Sequence, residues 1–245
     1  MQTLPNSPTT QETNASNRQF FHTDGADLVG LLCISKALSG GESDIASTHH
    51  IYNTLRRTHP DVIETLTTPN WYFDRKGEIS PGQDPWYVSS VMYTERRDAA
   101  ADDDDGNAPP RVWVKFDPNN LTSLARYNSG PDAKIPPMSA KQTYALQVLE
   151  ETATELALHM ILEPGDIQLL ANGHVLHART AYKDWPAGSL DEAGRERVRR
   201  HLMRLWLAVP ESEGGLRTPF FDSDWKKRGG IQVGDVPPVC PLDAE

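Results

Sequence analysis

Phe20-Phe-His-Thr-Asp-Gly-Ala-Asp-Leu-Val-Gly-Leu-Leu32 is the stretch on which the reading of this chain turns. From Leu28 to Ile34 it continues as LVGLLCI, with no charged residue, bounded by Gly25 and by Gly40-Gly41. A run of that length, closed by glycines, predicts a buried strand rather than a helix. Just ahead of it, His22 and Asp24 stand two residues apart. In an extended strand, positions i and i+2 point to the same side, so an imidazole and a carboxylate would face one metal ion. Such triplets are common by chance, and this one gains weight only from two segments further along the chain.

The second segment is Asn172-Gly-His174-Val-Leu-His177-Ala-Arg179. A histidine from a later strand would complete a face of two imidazoles and one carboxylate. That donor set, with positions left open, is the one associated with non-haem Fe(II) oxygenases. His174 and His177 are three apart and point to opposite faces of a regular strand, so spacing alone does not choose between them. The third segment is Arg199-Arg200-His201-Leu202-Met203-Arg204-Leu205-Trp206-Leu207. As a strand it puts Arg200, Leu202, Arg204 and Trp206 on one face. Arginines buried there without partners would be costly. Either this is an edge strand with solvated arginines, or the pair forms an inward fork that grips a carboxylate in bidentate fashion.

Further strands are expected at Asp44–Ser47, Trp71–Asp74, Trp86–Thr94, Arg111–Phe116, Ile167–Leu170, His174–Ala178 and Arg200–Val209, from β-branched and aromatic enrichment between turn signals. Tyr52–Arg57 and Pro60–Leu66 read as helical turns, the second with proline near its first position. Ser139 to about Thr154 is the best helix, capped by its serine, with Ala145 and Leu149 at helical spacing. Residues 1–18 are polar and read as a disordered tail, leaving 19–245 as one domain. An acidic loop insertion at about 97–110, with Asp98 and Asp102 to Asp105, interrupts it. Many short strands with a few helices predict a mainly β barrel or sandwich with flanking helices.

The chain has 245 residues, a net charge of −10 and two cysteines, Cys33 and Cys240. It offers no basic footprint for nucleic acid or an anionic membrane surface, no apolar run of about 18 residues to span a bilayer, and no secretory leader pattern. Two cysteines make no disulfide framework, and a reducing, cytoplasmic setting is expected.

In order along the chain, FFHTDGADLVGLL, the SGGES segment Ser39 to Ser43, EPGDIQLLANGHVLHARTAY from Glu163 to Tyr182, and RRHLMRLWL resemble the taurine dioxygenase and 2,4-dichlorophenoxyacetate dioxygenase superfamily of Fe(II)/2-oxoglutarate oxygenases. The resemblance covers about Phe20 to Val209. It implies a double-stranded β-helix, the jelly roll of the clavaminate synthase-like fold. It also implies His22, Asp24 and His177 as Fe(II) ligands, with His174 left as a flanking residue. Ser43 falls where the family has a hydroxyl contacting the far carboxylate of 2-oxoglutarate, and Arg200 matches the arginine that pairs with that carboxylate. Arg204 lies where some members hold an acidic group of the substrate. The implied reaction uses dioxygen to oxidise a small, anionic organic substrate, by hydroxylation in the main case, with release of succinate and CO2. Retention of Asp24 argues against the halogenase variant, which lacks the carboxylate ligand.

The chain departs from the family pattern in one respect. Members have a folded segment before the H-x-D strand, and here that place holds only the polar tail. An absent N-terminal part is expected to leave apolar strand faces and strand edges open. It also raises an alternative: a catalytically impaired relative acting as a binding or scaffold protein. A third reading is a zinc hydrolase using the same triad, in which Ser43 and Arg200 would have no evident purpose. His49-His50 read as solvated histidines opening a helical turn, and His159 as a core or edge histidine. The loop Lys183 to Val198, with Trp185, is either a cover near the metal or exposed decoration.

Overall fold

The computed structural model describes residues 16–76, 79, 82–95 and 110–207, with two further short strands at 227–228 and 231–232. The tail assigned to residues 1–18 lies outside these as far as residue 15, and so does the acidic insertion. Residues 16–18 are tied down: the Tyr182 N–H donates to Ser16 O, and Arg18 pairs with Glu150.

Two antiparallel sheets carry the architecture. The larger takes β1 (Gln19–His22), β4 (Ser43–Ser47), β9 (Leu158–Met160) and β11 (Val175–Arg179), in the order β1-β11-β4-β9. The smaller sets β2 (Leu28–Ser35) between β10 (Ile167–Ala171) and β13 (His201–Leu207). Short pairs complete the β structure: β3 (Ser39–Gly40) with β12 (Tyr182–Lys183), β5 (Trp71–Asp74) with β6 (Trp86–Ser89), β7 (Met92–Glu95) with β8 (Arg111–Val114), and β14 (Lys227–Arg228) with β15 (Ile231–Gln232). The mainly β, helix-flanked double sheet expected from the sequence is what the chain forms.

Helices cover the outside of the larger sheet. α1 (Thr48–Thr58) begins where the Ser47 hydroxyl accepts the His50 N–H, and α2 (Pro60–Thr67) starts on its proline. α3 (Pro118–Thr122) and α4 (Ala125–Asn128) are single turns. α5 (Ala140–Leu156) opens with a reciprocal capping box between Ser139 and Gln142, and buries Ala145, Val148, Leu149, Thr152 and Ala153 along one stripe. That stripe, with Ile51, Leu55, Val62, Leu66 and Trp71, meets Phe21, Ala46, Leu176 and Ala178 from the larger sheet. Full burial of side chains this size contributes about 1.5–3 kcal/mol each, so the main core lies between helices and sheet. A second, smaller apolar layer lies between the two sheets, where Ala26, Val29 and Leu170 meet Leu31, Ile45, Val175 and Trp206.

The alternation along β11 therefore decides what faces where. Leu176 and Ala178 go to the helices, and Val175, His177 and Arg179 turn toward the second sheet. On the smaller sheet, register pairs Gln168, Leu31 and Arg204 in one row and Leu170, Val29 and Trp206 in the next. Its opposite face holds Ile167, Leu169, Met203 and Leu205, all exposed. The strand read as Trp86–Thr94 is broken at Ser90-Val91, because Val91 N–H donates to Leu66 O and the Ser90 hydroxyl to Thr67 O. The two halves then pair with different partners. The turns read at Tyr52–Arg57 are part of a full helix, α1.

Candidate metal centre

His22 and His177 are brought together by register: they are paired residues on the neighbouring strands β1 and β11. Their rings lie 4.2 Å apart, centroid to centroid, and are tilted by 47°. Asp24 reaches the same point from just beyond the end of β1. His22 Nε2 is 3.8 Å from Asp24 Oδ1, and His177 Nε2 is 3.8 Å from Asp24 Oδ2. One donor atom from each of the three lies within 4.8 Å of the others, the only such group of three among the described residues. Neighbouring ligands around a metal with bonds of about 2.0–2.2 Å are roughly 3 Å apart, so small rotations would close this face on an ion.

Several contacts prepare these side chains as ligands. Nδ1 of His22 is 2.8 Å from Phe20 O. A proton held there leaves Nε2 with a free lone pair, the arrangement in which an outer hydrogen bond fixes the tautomer of a ligating histidine. Burial, reinforced by the nearby His22 and Arg204, pushes the pKa of His177 well below the usual histidine range, which keeps it neutral. The Trp206 indole N–H donates to Asp24 Oδ2 at 2.9 Å, and Arg204 Nη1 approaches Oδ1 at 3.4 Å. Asn172 holds the loop: its Oδ1 accepts the Asp24 N–H at 3.1 Å, and its Nδ2 donates to the Asp24 carbonyl at 2.7 Å. Two imidazoles and one carboxylate, with the inter-sheet space in front of them, form a donor set that suits Fe(II).

His174 is not part of this group. Its Nδ1 is 3.2 Å from Val112 O, and its ring stacks on His49 with centroids 5.6 Å apart. His49 Nε2 accepts the Val112 N–H, so of the two adjacent histidines His49 has a structural job and His50 is exposed. His159 is an edge histidine, exposed on β9 and paired with Asp44 at 2.6 Å. Within the loop before β13, Arg197 covers the Trp185 ring at 3.9 Å and Asp191 pairs with Arg195.

Arg200 packs against the Gly40-Gly41 turn, and Ser43 opens the strand that follows it. Thr180 Oγ1 accepts both the Gly41 and Glu42 N–H groups at 3.0 Å, pinning the turn. Arg200 Nη2 donates to Gly41 O at 3.1 Å, and the guanidinium lies 5.2 Å from the Tyr182 ring. Asp184 accepts the Arg200 backbone N–H at 2.7 Å. Among the described residues no carboxylate reaches the Arg200 guanidinium, which lines a recess of about 180 Å³ with Cys33, Ser35 and Leu202. Burial pulls its pKa down from the ordinary value. A cation in that setting is matched to an anion. The buried Ser43 hydroxyl donates to Gln168 Oε1 at 2.9 Å.

Gly41 has φ +78°, and a Cβ there would stand 2.6 Å from Arg200 Nε. Gly41→Ala is therefore expected to cost about 1–2 kcal/mol in backbone strain and to displace the guanidinium. Calorimetric titration should show an anion affinity lost at Arg200 with metal affinity kept.

Glu150, from α5, was not visible as a site residue in the sequence. Its Oε2 accepts the Phe21 N–H at 3.1 Å and its Oε1 pairs with Arg18, clamping the strand that ends in His22. Burial pushes its pKa up, opposed by the Phe21 bond and by Arg18. Glu150→Ala is expected to cost about 1–3 kcal/mol of stability and to weaken metal binding. Glu150→Gln, which keeps an acceptor for Phe21, should lose less of both, as read by thermal unfolding and Mn(II) titration.

Comparison with known proteins points the same way. Residues 2–206 match the family described as "Taurine catabolism dioxygenase TauD, TfdA family". FR-33289 synthase of Streptomyces rubellomurinus is 32% identical over 201 residues, which is 81% of this chain and 51% of that protein. A taurine hydroxylase-like protein, SAT17, of Stachybotrys chartarum is 31% identical over 185 residues, covering 76% and 41%. The chain thus spans about half the length, or less, of these relatives. Among solved structures, asparagine oxygenase in complex with Fe(II), 2S,3S-3-hydroxyasparagine and succinate superposes with a TM-score of 0.52 at 18% identity, over 83% of this chain and 54% of that one. That likeness concerns the fold.

Proposed function

This chain belongs to the taurine catabolism dioxygenase TauD, TfdA family, and from that premise we propose that it is an Fe(II)- and 2-oxoglutarate-dependent dioxygenase that hydroxylates a small organic molecule. The observation that carries the proposal is the convergence of His22, Asp24 and His177 into one donor group between the sheets, with the Arg200 guanidinium, unpaired with any carboxylate among the described residues, lining a recess with Cys33 and Leu202 of the smaller sheet. When bound, iron and 2-oxoglutarate supply the oxidising chemistry: one oxygen atom of O2 goes to succinate, with loss of CO2, and the other to the substrate.

The protein's own part is binding and orientation. His22, Asp24 and His177 would hold the metal, with Trp206 and Asn172 fixing Asp24 and Phe20 O fixing the His22 tautomer. Arg200 and Ser43 would hold the far carboxylate of the co-substrate. Val29, Ile45, Val175 and Trp206 keep the space between the sheets apolar, which strengthens charge interactions inside it. Arg204, on the same face as Trp206 and beside Asp24, would meet an anionic group of the substrate. No side-chain nucleophile or acid–base pair is needed. The test is to supply Fe(II), 2-oxoglutarate and O2 and to measure succinate. Succinate that requires all three, and that Asp24→Ala abolishes, is expected. Metal-replete protein that never consumes 2-oxoglutarate would overturn the proposal.

One observation favours a second reading, a binding protein derived from the same fold: Arg204 approaches Asp24 Oδ1, where it competes with a cation. Metal titration decides between them, since that reading predicts no tight Fe(II) or Mn(II) binding.

A further inference from the structure

Gln168 sits on β10, where the strand alternates between exposed Ile167 and Leu169 and buried Gln168 and Leu170. It is 7% exposed, on the face turned toward the larger sheet. Ser43, on that sheet, donates to Gln168 Oε1 at 2.9 Å, so the pair bridges the two sheets. The amide nitrogen of Gln168 is buried and finds no acceptor among the described residues. A buried donor left unmade is costly, and a leucine here would avoid that cost. The neighbouring inward positions, Val29 and Leu170, are indeed apolar.

Counting hydrogens shows what is lacking. Ser43 has one O–H, and it is engaged by Gln168 Oε1, which leaves both amide hydrogens over. With the amide turned end for end, its N–H would donate to Ser43 Oγ, leaving the second N–H and the serine hydrogen over. In either orientation the pair has more donors than its surroundings accept. A carboxylate offers two oxygens and about four lone-pair sites and no hydrogen. Two residues before Ser43, the Gly41 carbonyl accepts from Arg200. One short stretch of chain, Gly41 to Ser43, thus touches both the Arg200 guanidinium and the Gln168 amide.

We propose that Gln168 is a further co-substrate-binding residue: its amide, braced by Ser43, donates to the far carboxylate of 2-oxoglutarate alongside Arg200. This rests on the dioxygenase reading above. It makes recognition of the five-carbon diacid a joint property of both sheets, and it gives the Gln168–Ser43 pair a part in selecting a 2-oxo acid that ends in a second carboxylate.

The experiment is anaerobic calorimetric titration of the Mn(II)-loaded chain with 2-oxoglutarate, and with 2-oxopentanoate, which lacks the far carboxylate. Gln168→Leu is expected to weaken 2-oxoglutarate at least about tenfold, a loss of about 1.4 kcal/mol. Its Mn(II) affinity and 2-oxopentanoate affinity should match the wild type, and its unfolding temperature should stay close to the wild type's, because the unmet amide has gone while the buried Ser43 hydroxyl loses its acceptor. Gln168→Glu keeps the shape and the Ser43 bond but sets a second carboxylate against the ligand, so it should lose 2-oxoglutarate more completely while still binding Mn(II). It carries the test if the leucine variant does not fold. Equal 2-oxoglutarate affinity in the wild type and both variants would overturn the role of Gln168 and leave the dioxygenase reading standing. A wild type that binds Mn(II) but no 2-oxoglutarate would overturn both.

Discussion

Asp24→Ala is expected to lower Fe(II) or Mn(II) affinity by more than about 100-fold, beyond the 10- to 100-fold typical of losing a contact outside the ligand set. The reason is geometric. His22 and His177 are each 3.8 Å from a different oxygen of the same carboxylate, so among the described residues Asp24 is the acidic group that faces both imidazoles. It also brings the only negative charge of the triad, beside an arginine that would otherwise leave the site net positive. Losing it strips Trp206 Nε1 and Arg204 of an acceptor, with a stability cost of about 1–3 kcal/mol. Asp24→Asn separates the effects. It can still accept from Trp206, so it should keep most of the stability, yet it should lose most of the metal affinity. Calorimetry with Mn(II) and thermal unfolding read the two quantities, and an alanine variant that binds metal like the wild type contradicts the assignment.

Arg200→Ala is expected to leave metal binding intact and to weaken 2-oxoglutarate roughly 30-fold to several thousand-fold, since truncating one partner of a desolvated charge pair costs about 2–5 kcal/mol. The guanidinium is held by Gly41 O and by the Tyr182 ring, and Asp184 engages only its backbone N–H. Asp184 acts on it only at a distance, and no carboxylate among the described residues pairs with the guanidinium directly, which leaves it able to pair with an anion. Arg200→Lys would keep the charge but lose the forked donor geometry and should fall between. Titration of the metal-loaded variants with 2-oxoglutarate measures this. An alanine variant with unchanged affinity would remove Arg200 from the co-substrate site.

How far the sequence reaches depends on the kind of interaction. Local pattern was enough for α5, whose Ser139 cap and apolar stripe are written in consecutive residues, and for β2, whose apolar run is buried between two partners. The metal group was legible through resemblance, and the reason lies in β11: its alternation sends Leu176 and Ala178 to the helices and therefore His177 inward. His174 precedes that strand and is fixed against Val112 and His49. Spacing showed that the two histidines diverge but could not show which face was the inner one. Glu150, Asn172 and Gln168 act across separations of more than 120 residues, on Phe21, Asp24 and Ser43. No local pattern marks them, because each is an ordinary polar residue in its own segment. Trp206 was half visible, on one face with Arg200 and Arg204, but its bond to Asp24 depends on how the sheets face each other.

A single chain that holds a metal and 2-oxoglutarate on one inner face must bind them as one unit. Anaerobic absorption spectroscopy of the purified chain, titrated with Fe(II) and then with 2-oxoglutarate, reads that joint binding. A visible charge-transfer band is expected that needs both additions, is absent in Asp24→Ala and is weakened in Arg200→Ala. Folded protein that gives no band at saturating Fe(II) and 2-oxoglutarate would mean that the chain does not assemble the two sites together.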